Sequence, residues 1–164
     1  MTPVDSAAGA LGPDHTVLLR GHPYNLADAR TARSGRVAGV LDVTSYPDVN
    51  DLVLAADVAV LDYSSLRFDW LLTGKPLLFF VPDIDQYLSR WPVLFDFAET
   101  APGPLLRTTD EVTTALQDLP ALAAAYAETR ESADRRFNSR HDGHASARVV
   151  SAFFGDDAGP AEPD

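Results

Sequence analysis

The sequence predicts an α/β fold in which a parallel sheet is flanked by helices and followed by a helical C-terminal part. Short apolar runs alternate with segments of helical pattern, and each run stops abruptly at polar or turn-forming residues. Interior parallel strands have this pattern because both faces of the sheet are covered. The chain has 164 residues, of which 46% are hydrophobic, and this is enough for one compact domain with a buried core.

Four apolar runs are the expected strands, near residues 17–19, 38–42, 58–61 and 77–81. The helices between them have recognisable ends. Asp48 or Asn50 is suited to cap a helix that runs to about Ala56. Ser65 begins a second helix, which Gly74 terminates. Further helices are expected over residues 111–119, 121–137 and 145–154, and a mixed aromatic segment covers residues 87–97.

These elements give a Rossmann-like domain over residues 15–154. Residues 1–14 are expected to form a flexible N-terminal segment. Residues 155–164 are acidic and rich in Pro, Gly and Ala, and they are expected to form a disordered tail.

The composition excludes several function classes. Acidic residues number 24 against 13 basic ones, a formal net charge of −11, so the average surface field repels nucleic acid. Cysteine is absent, which excludes disulfides, thiolate nucleophiles and Cys-ligated zinc. P-loop, dinucleotide-binding, nucleophile-elbow and zincin motifs are also absent. We expect no metal and no cofactor, and a soluble chain without a secretory signal or membrane span.

The junction Asp62-Tyr63-Ser64-Ser65 is the most informative local feature. It joins an apolar strand to a helix start, where N–H groups and two hydroxyls suit a phosphate. Ligands of open α/β sheets favour the carboxyl ends of strands. The alternative from local pattern alone is that a serine is merely an N-cap and Asp62 a turn residue.

Two further polar clusters are candidates. Arg20 and His22 follow the first strand, again at a carboxyl end, so they are expected to face the same crevice as the serines. The second cluster precedes and enters the last helix, and a solvated helix face is the alternative for most of its arginines. Its members are Arg135, Arg136, Arg140, His141, Asp142 and Arg148.

The order and spacing of several motifs resemble the C-terminal domain of CDP-glycerol glycerophosphotransferases of the teichoic acid polymerase and primase type. The specific part is Asp62-Tyr63-Ser64-Ser65 followed by Phe68-Asp69. The other matching segments are His22-Pro23, residues 46–52 and 56–61, Lys75-Pro76, residues 83–87, Pro102-Gly103-Pro104, and Asp142-Gly143 with Ala145, Ser146 and Arg148. Residues 89–92 depart from the family, which usually has Arg-Gly and aromatic residues there. The resemblance covers residues 16–154.

The resemblance implies a GT-B enzyme whose C-terminal Rossmann-like domain, here residues 15–154, binds the nucleotide donor. An acceptor hydroxyl would attack the β-phosphorus of CDP-glycerol and release CMP. The acceptor would be a polyol-phosphate or a lipid-linked glycan. Acceptor binding and a catalytic base belong to an N-terminal domain in this family, so that domain is expected in a separate or missing chain. The implied location is the cytoplasm, at the inner face of the cell membrane.

The resemblance also implies roles for individual residues. Ser64 and Ser65 would hold phosphate oxygens, Asp62 would orient their loop, and His22 would donate to the phosphate and is the candidate catalytic residue. The additional donor contacts are Arg20, His141, Asp142 and Arg148. The alternatives are a related CDP-ribitol or nucleotide-sugar transferase, and a non-catalytic nucleotide-binding fragment.

Overall fold

The computed structural model describes residues 3–21, 39–91 and 94–155 of the chain. The strands in this part are β1 (Val17–Leu19), β2 (Val40–Asp42), β3 (Ala59–Leu61), β4 (Leu77–Phe80) and β5 (Leu105–Leu106). The helices are α1 (Pro3–Leu11), α2 (Val49–Ala55), α3 (Leu66–Leu71), α4 (Ile84–Arg90), α5 (Thr109–Leu116), α6 (Leu119–Ala125), α7 (Ala127–Phe137) and α8 (Ala145–Phe154).

All strand pairs in the described part are parallel, which confirms the predicted sheet type. β1 pairs with β2, and β4 lies between β3 and β5. The described strands therefore form two sheets, whereas the sequence predicted one. β1 and β2 are three residues long, and the described structure buries them less than β4.

Strand β4 is the centre of the core. Leu78 and Phe79 have no exposed surface and Leu77 is 1% exposed. Because successive strand residues point to opposite faces, Phe79 packs with Trp70 and Phe97 on one side. Leu78 packs on the other side, against residues of α5 and α6. Helices and loops cover both faces, which explains why this run is continuously apolar.

The helix ends follow the predicted local chemistry. The Asp48 side chain accepts a hydrogen bond from the Asn50 N–H at 2.8 Å and caps α2. Gly74, with φ of +67°, follows the end of α3. The helix expected from residue 111 begins at a capping box, in which the side chains of Thr108 and Glu111 each accept a hydrogen bond from the other's main-chain N–H. The capping box satisfies two N–H groups that a helix start leaves free.

Three segments differ from the prediction. Helix α1 lies within residues 1–14, where a flexible segment was expected, and Leu11 packs against the Leu78 cluster. Helix α4 occupies the first part of the aromatic segment. The single helix predicted over residues 121–137 is two helices, because the backbone of Tyr126 (φ −113°, ψ 13°) interrupts it. The tail predicted over residues 155–164 lies outside the described residues apart from Gly155.

Within the described ranges, no helix has the length and apolar character needed to cross a lipid bilayer.

Candidate functional site

The candidate site lies at the carboxyl edge of the sheet formed by β3, β4 and β5, in the loop of residues 62–65. Asp62 Oδ1 accepts a hydrogen bond from the Ser64 N–H at 2.9 Å, and Ser64 Oγ accepts one from the Leu66 N–H at 3.2 Å. Ser65 begins helix α3, as predicted, but its side chain makes no capping hydrogen bond. The loop is therefore held by Asp62 and Ser64, while the Ser65 hydroxyl has no capping role.

Tyr63 ties this loop to the segment that follows β4. Its hydroxyl donates to Asp83 Oδ1 at 2.8 Å, and its ring stacks on Tyr87 with centroids 3.5 Å apart and planes 4° from parallel. Burial raises the pKa of the Tyr63 phenol well above its usual range, and the bond to Asp83 raises it further. The neutral phenol therefore remains a hydrogen-bond donor at physiological pH. Its bond to Asp83 and its stacking on Tyr87 hold the loop of residues 62–65 against residues 83–87.

A cavity of about 310 Å³ adjoins the serine loop. Most of its lining residues are aromatic, and Ser65 and Arg67 are the polar residues among the others. Its lining residues are Tyr63, Ser65, Arg67, Phe68, Tyr87, Leu94, Phe95 and Phe97. A concave site with an apolar wall and a few polar groups is the usual form of a small-molecule pocket.

Arg67 was not among the residues that the sequence predicted for the site. Its side chain is buried, with 7% exposed, and its guanidinium carbon lies 4.7 Å from the Phe68 ring centroid and 4.8 Å from that of Phe97. Burial lowers the pKa of Arg67. The available signal was helical spacing, because residues three and four positions on, Trp70 and Leu71, share its helix face and are both buried.

Arg20, a candidate residue that follows β1, contacts the loop after β2. Arg20 Nη1 donates to the main-chain oxygens of Val43 at 3.3 Å and Tyr46 at 2.8 Å, so this guanidinium joins β1 to the loop after β2. The structure shows no hydrogen bond from Arg20 to the serine loop. His22 lies outside the described residues, so the predicted convergence of His22 with the serines stays a prediction.

The candidates near the last helix contact one another. Arg148 Nη1 donates to both carboxylate oxygens of Asp142 at 2.7 Å, and its Nη2 donates to the Arg140 oxygen at 2.8 Å. The bond from Arg148 holds the pKa of Asp142 below its usual range, and the His144 N–H adds to this effect. The main-chain N–H of His141 donates to the Asn138 oxygen at 2.9 Å. In this arrangement these residues stabilise the turn before α8.

Asn138 connects that turn to the site. Its Nδ2 donates to the Phe68 main-chain oxygen at 2.8 Å, which fixes the end of α7 against α3. Phe137 also packs on Phe68 and Phe95, with ring centroids 4.9 and 5.1 Å away. The aromatic wall of the cavity is therefore continuous with the packing of the C-terminal helices.

Comparison with known proteins decides the family. The sequence model of CDP-glycerol:poly(glycerophosphate) glycerophosphotransferases matches residues 4–155. The chain belongs to this family. The match includes the serine loop and the residues around the aromatic cavity, and it confirms the resemblance that the sequence motifs indicated.

Characterised relatives are longer than this chain. A teichoic acid glycerol-phosphate transferase of Staphylococcus aureus is 32% identical over 152 residues, which are 92% of this chain and 38% of the relative. A teichoic acid poly(glycerol phosphate) polymerase of Bacillus subtilis is 33% identical over 88% of this chain and 19% of the relative. The chain thus spans less than two fifths of the length of either relative.

Solved structures confirm the fold class. The H548A variant of the wall teichoic acid polymerase TagF superposes with a TM-score of 0.79 and 31% sequence identity, over 89% of this chain and 36% of TagF. The H444N variant of TagF soaked with CDPG gives a TM-score of 0.78 with the same identity and coverage. The chain therefore shares the α/β architecture predicted from its sequence.

Proposed function

We propose that this chain is the donor-binding part of a CDP-glycerol glycerophosphotransferase that builds teichoic-acid-like polymers. The observation that carries the proposal is the loop of residues 62–65, which presents two serine side chains at the carboxyl edge of a buried parallel sheet, beside a cavity of about 310 Å³. Family membership supports the choice of donor, as does the CDPG soak of the TagF variant.

In the proposed reaction an acceptor hydroxyl attacks the β-phosphorus of CDP-glycerol. A bond forms between the acceptor oxygen and phosphorus, the bond from phosphorus to the bridging oxygen breaks, and CMP leaves with the electron pair. Negative charge develops on the phosphate oxygens. The hydroxyls of Ser64 and Ser65 are proposed to donate to those oxygens, while Asp62 keeps the loop in place.

His22 completes the proposal on the donor side. It is proposed to donate to a phosphate oxygen. The catalytic base is proposed to lie in the N-terminal domain, and His22 is the first candidate for that base if this chain transfers glycerol phosphate on its own. Arg20, His141, Asp142 and Arg148 are proposed as outer contacts of the donor. The proposed acceptor is a polyol-phosphate or a lipid-linked glycan, bound with the help of an N-terminal acceptor domain at the inner face of the cell membrane.

CDP-ribitol is the second candidate donor, because a similar stretch of sequence occurs in enzymes named for ribitol. A teichoic acid ribitol-phosphate primase of Bacillus spizizenii is 29% identical over 86% of this chain. A shared fold and phosphate site do not select the polyol. Competition between CDP-glycerol and CDP-ribitol for the purified chain distinguishes the two donors.

Titration calorimetry with CDP-glycerol tests the donor site. We expect weak binding to the chain and at least about a tenfold loss of affinity when Ser64 and Ser65 are both changed to Ala, because a hydrogen bond to a charged group contributes roughly 1.5–3 kcal/mol. Ser151→Ala, an exposed position in α8, is the matched control and should bind as the wild type does. Equal affinities for the wild type and the double variant would contradict the site.

A further inference from the structure

Arg67 is a buried cation to which no carboxylate of the described residues is hydrogen-bonded. Its Nη1 atom is buried and has no hydrogen-bond partner among the described residues. Neither Asp nor Glu is present among the residues that line the adjoining cavity. The two aromatic rings beside the guanidinium, those of Phe68 and Phe97, offer cation–π attraction, which does not replace the hydrogen bonds that the group loses on burial.

An unpaired buried charge is costly, and a bound anion that pairs with it offsets that cost. Guanidinium groups bind the oxygens of phosphates in a fixed, bidentate geometry. Ser65 lines the same cavity, and its side chain makes no capping hydrogen bond. The cavity thus combines a cation, a hydroxyl and an aromatic wall.

From this geometry we infer that Arg67 and Ser65 form an oxyanion site in the aromatic cavity, and that a phosphate group is its ligand. The Arg67 guanidinium donates to the phosphate oxygens, and the Ser65 hydroxyl donates from the serine loop. The inference extends the proposed function to a residue outside the Ser64 and Ser65 pair. It rests on the proposed function only for the source of the phosphate, either the donor diphosphate or an acceptor phosphate.

Arg130 shows what a structural buried arginine looks like in this chain. It is 9% exposed, and its Nη1 also has no hydrogen-bond partner among the described residues. Its Nη2, however, donates to the Ala123 main-chain oxygen at 2.7 Å and joins α7 to α6. Arg130 does not line the aromatic cavity. Comparing Arg67 with Arg130 therefore distinguishes the effect of burying an arginine from the effect of placing one beside the cavity.

Thermal unfolding and titration calorimetry with inorganic diphosphate test the site, using the wild type, Arg67→Met and Arg130→Met. We expect diphosphate to raise the thermal unfolding midpoint of the wild type and of Arg130→Met. We expect it to bind Arg67→Met at least about tenfold more weakly than the wild type. Without ligand, Arg67→Met should unfold at the same temperature as the wild type or a higher one, because it removes an unpaired buried charge. Arg130→Met should unfold at a lower temperature because it loses the bond to Ala123.

Two probes identify the source of the phosphate. Loss of affinity for CDP in Arg67→Met assigns the site to the donor, and loss of affinity for glycerol 3-phosphate assigns it to the acceptor. If Arg67→Met does not fold, Arg67→Lys replaces it. Lysine keeps the charge but lacks the planar guanidinium that binds two phosphate oxygens at once. Weaker diphosphate binding by Arg67→Lys than by the wild type supports the site, and unchanged binding overturns it.

The outcomes also separate this inference from the proposed function. Diphosphate binding that is equal in the wild type and Arg67→Met overturns the Arg67 site, as does the absence of any diphosphate binding. If CDP-glycerol still binds in a manner that depends on Ser64 and Ser65, the proposed function stands without Arg67. The chain could instead bind diphosphate through Arg67 and fail to bind CDP-glycerol. That result supports the Arg67 site and contradicts CDP-glycerol as the donor.

Discussion

The two parallel sheets of the described chain differ in burial, and the candidate loop follows a strand of the better buried one. In the sheet of β3, β4 and β5, Leu77, Leu78 and Phe79 are at most 1% exposed. In the sheet of β1 and β2, Leu41 is 55% exposed. Binding residues are often carried by loops that a rigid scaffold positions. The buried sheet provides such a scaffold for the candidate loop of residues 62–65.

The same comparison distinguishes the polar candidates. The Arg67 side chain lies against Phe97 in the core of the buried sheet, and its Nη1 has no hydrogen bond to any described residue. The Arg20 side chain lies on the partly buried sheet, with two main-chain oxygens as partners. The arginine with fewer internal bonds is thus the one beside the cavity, and it is the better placed of the two to bind a ligand.

Changing Phe79 to Ala is expected to have the largest effect on stability. Phe79 is fully buried and packs on Trp70 and Phe97, so the variant loses apolar burial and leaves a cavity, at a cost of about 3–5 kcal/mol. Leu41→Ala in the other sheet is the matched control, with an expected cost below about 1 kcal/mol. Urea unfolding measures both. Similar costs would show that the two sheets do not differ as described.

Gly103→Ala is expected to destabilise the chain by about 1–3 kcal/mol. A Cβ atom at Gly103 would lie 2.0 Å from the Leu77 main-chain oxygen, so β4 and the turn before β5 would have to separate. Gly9→Ala in α1 meets no atom within 4 Å and should stabilise the chain by about 0.5–1 kcal/mol, because Ala favours a helix. Thermal unfolding of the two variants gives opposite shifts, and a neutral Gly103→Ala would contradict the tight turn.

The smallest expected effect is the pH dependence of the turn before α8. The folded-state pKa of Asp142 is lowered by Arg148, so this contribution to stability is present above the unfolded pKa of about 3.9 and is lost as pH falls through the folded value. Asp142→Asn should therefore lower the unfolding temperature slightly at pH 6, and the difference from the wild type should disappear in strong acid. A difference that does not change with pH would exclude this ion pair as the cause.

Much of the fold was predictable because the decisive signals are local. The apolar runs before Asp62 and Asp83, the cap at Asp48 and the capping box at Thr108 all act within a few residues. The division into two sheets was not predictable, since it depends on which strands pair across the chain. Helix α4 was missed because it lies within a segment of mixed aromatic and polar residues.

The candidate site was predictable only in part. The serine loop follows from the end of β3 and from the family motif. The role of Arg67 depends on tertiary contacts with Phe97, which local sequence does not show, although the buried face shared with Trp70 was a usable signal. His22 stays a prediction, since it lies outside the described residues.

Chemical-shift mapping by NMR tests the central claim most directly, namely that the serine loop binds the donor phosphate. The ¹⁵N-labelled chain is titrated with CDP-glycerol, and the amide signals of residues 62–66 and the Arg67 Nε–H signal are followed. We expect these signals to shift most, together with those of residues 83–87 across the Tyr63–Asp83 contact. The largest shifts could instead occur at the smaller cavity lined by Thr100, Ser132 and Arg136, while the signals of residues 62–66 stay unchanged. That result would contradict donor binding by the serine loop.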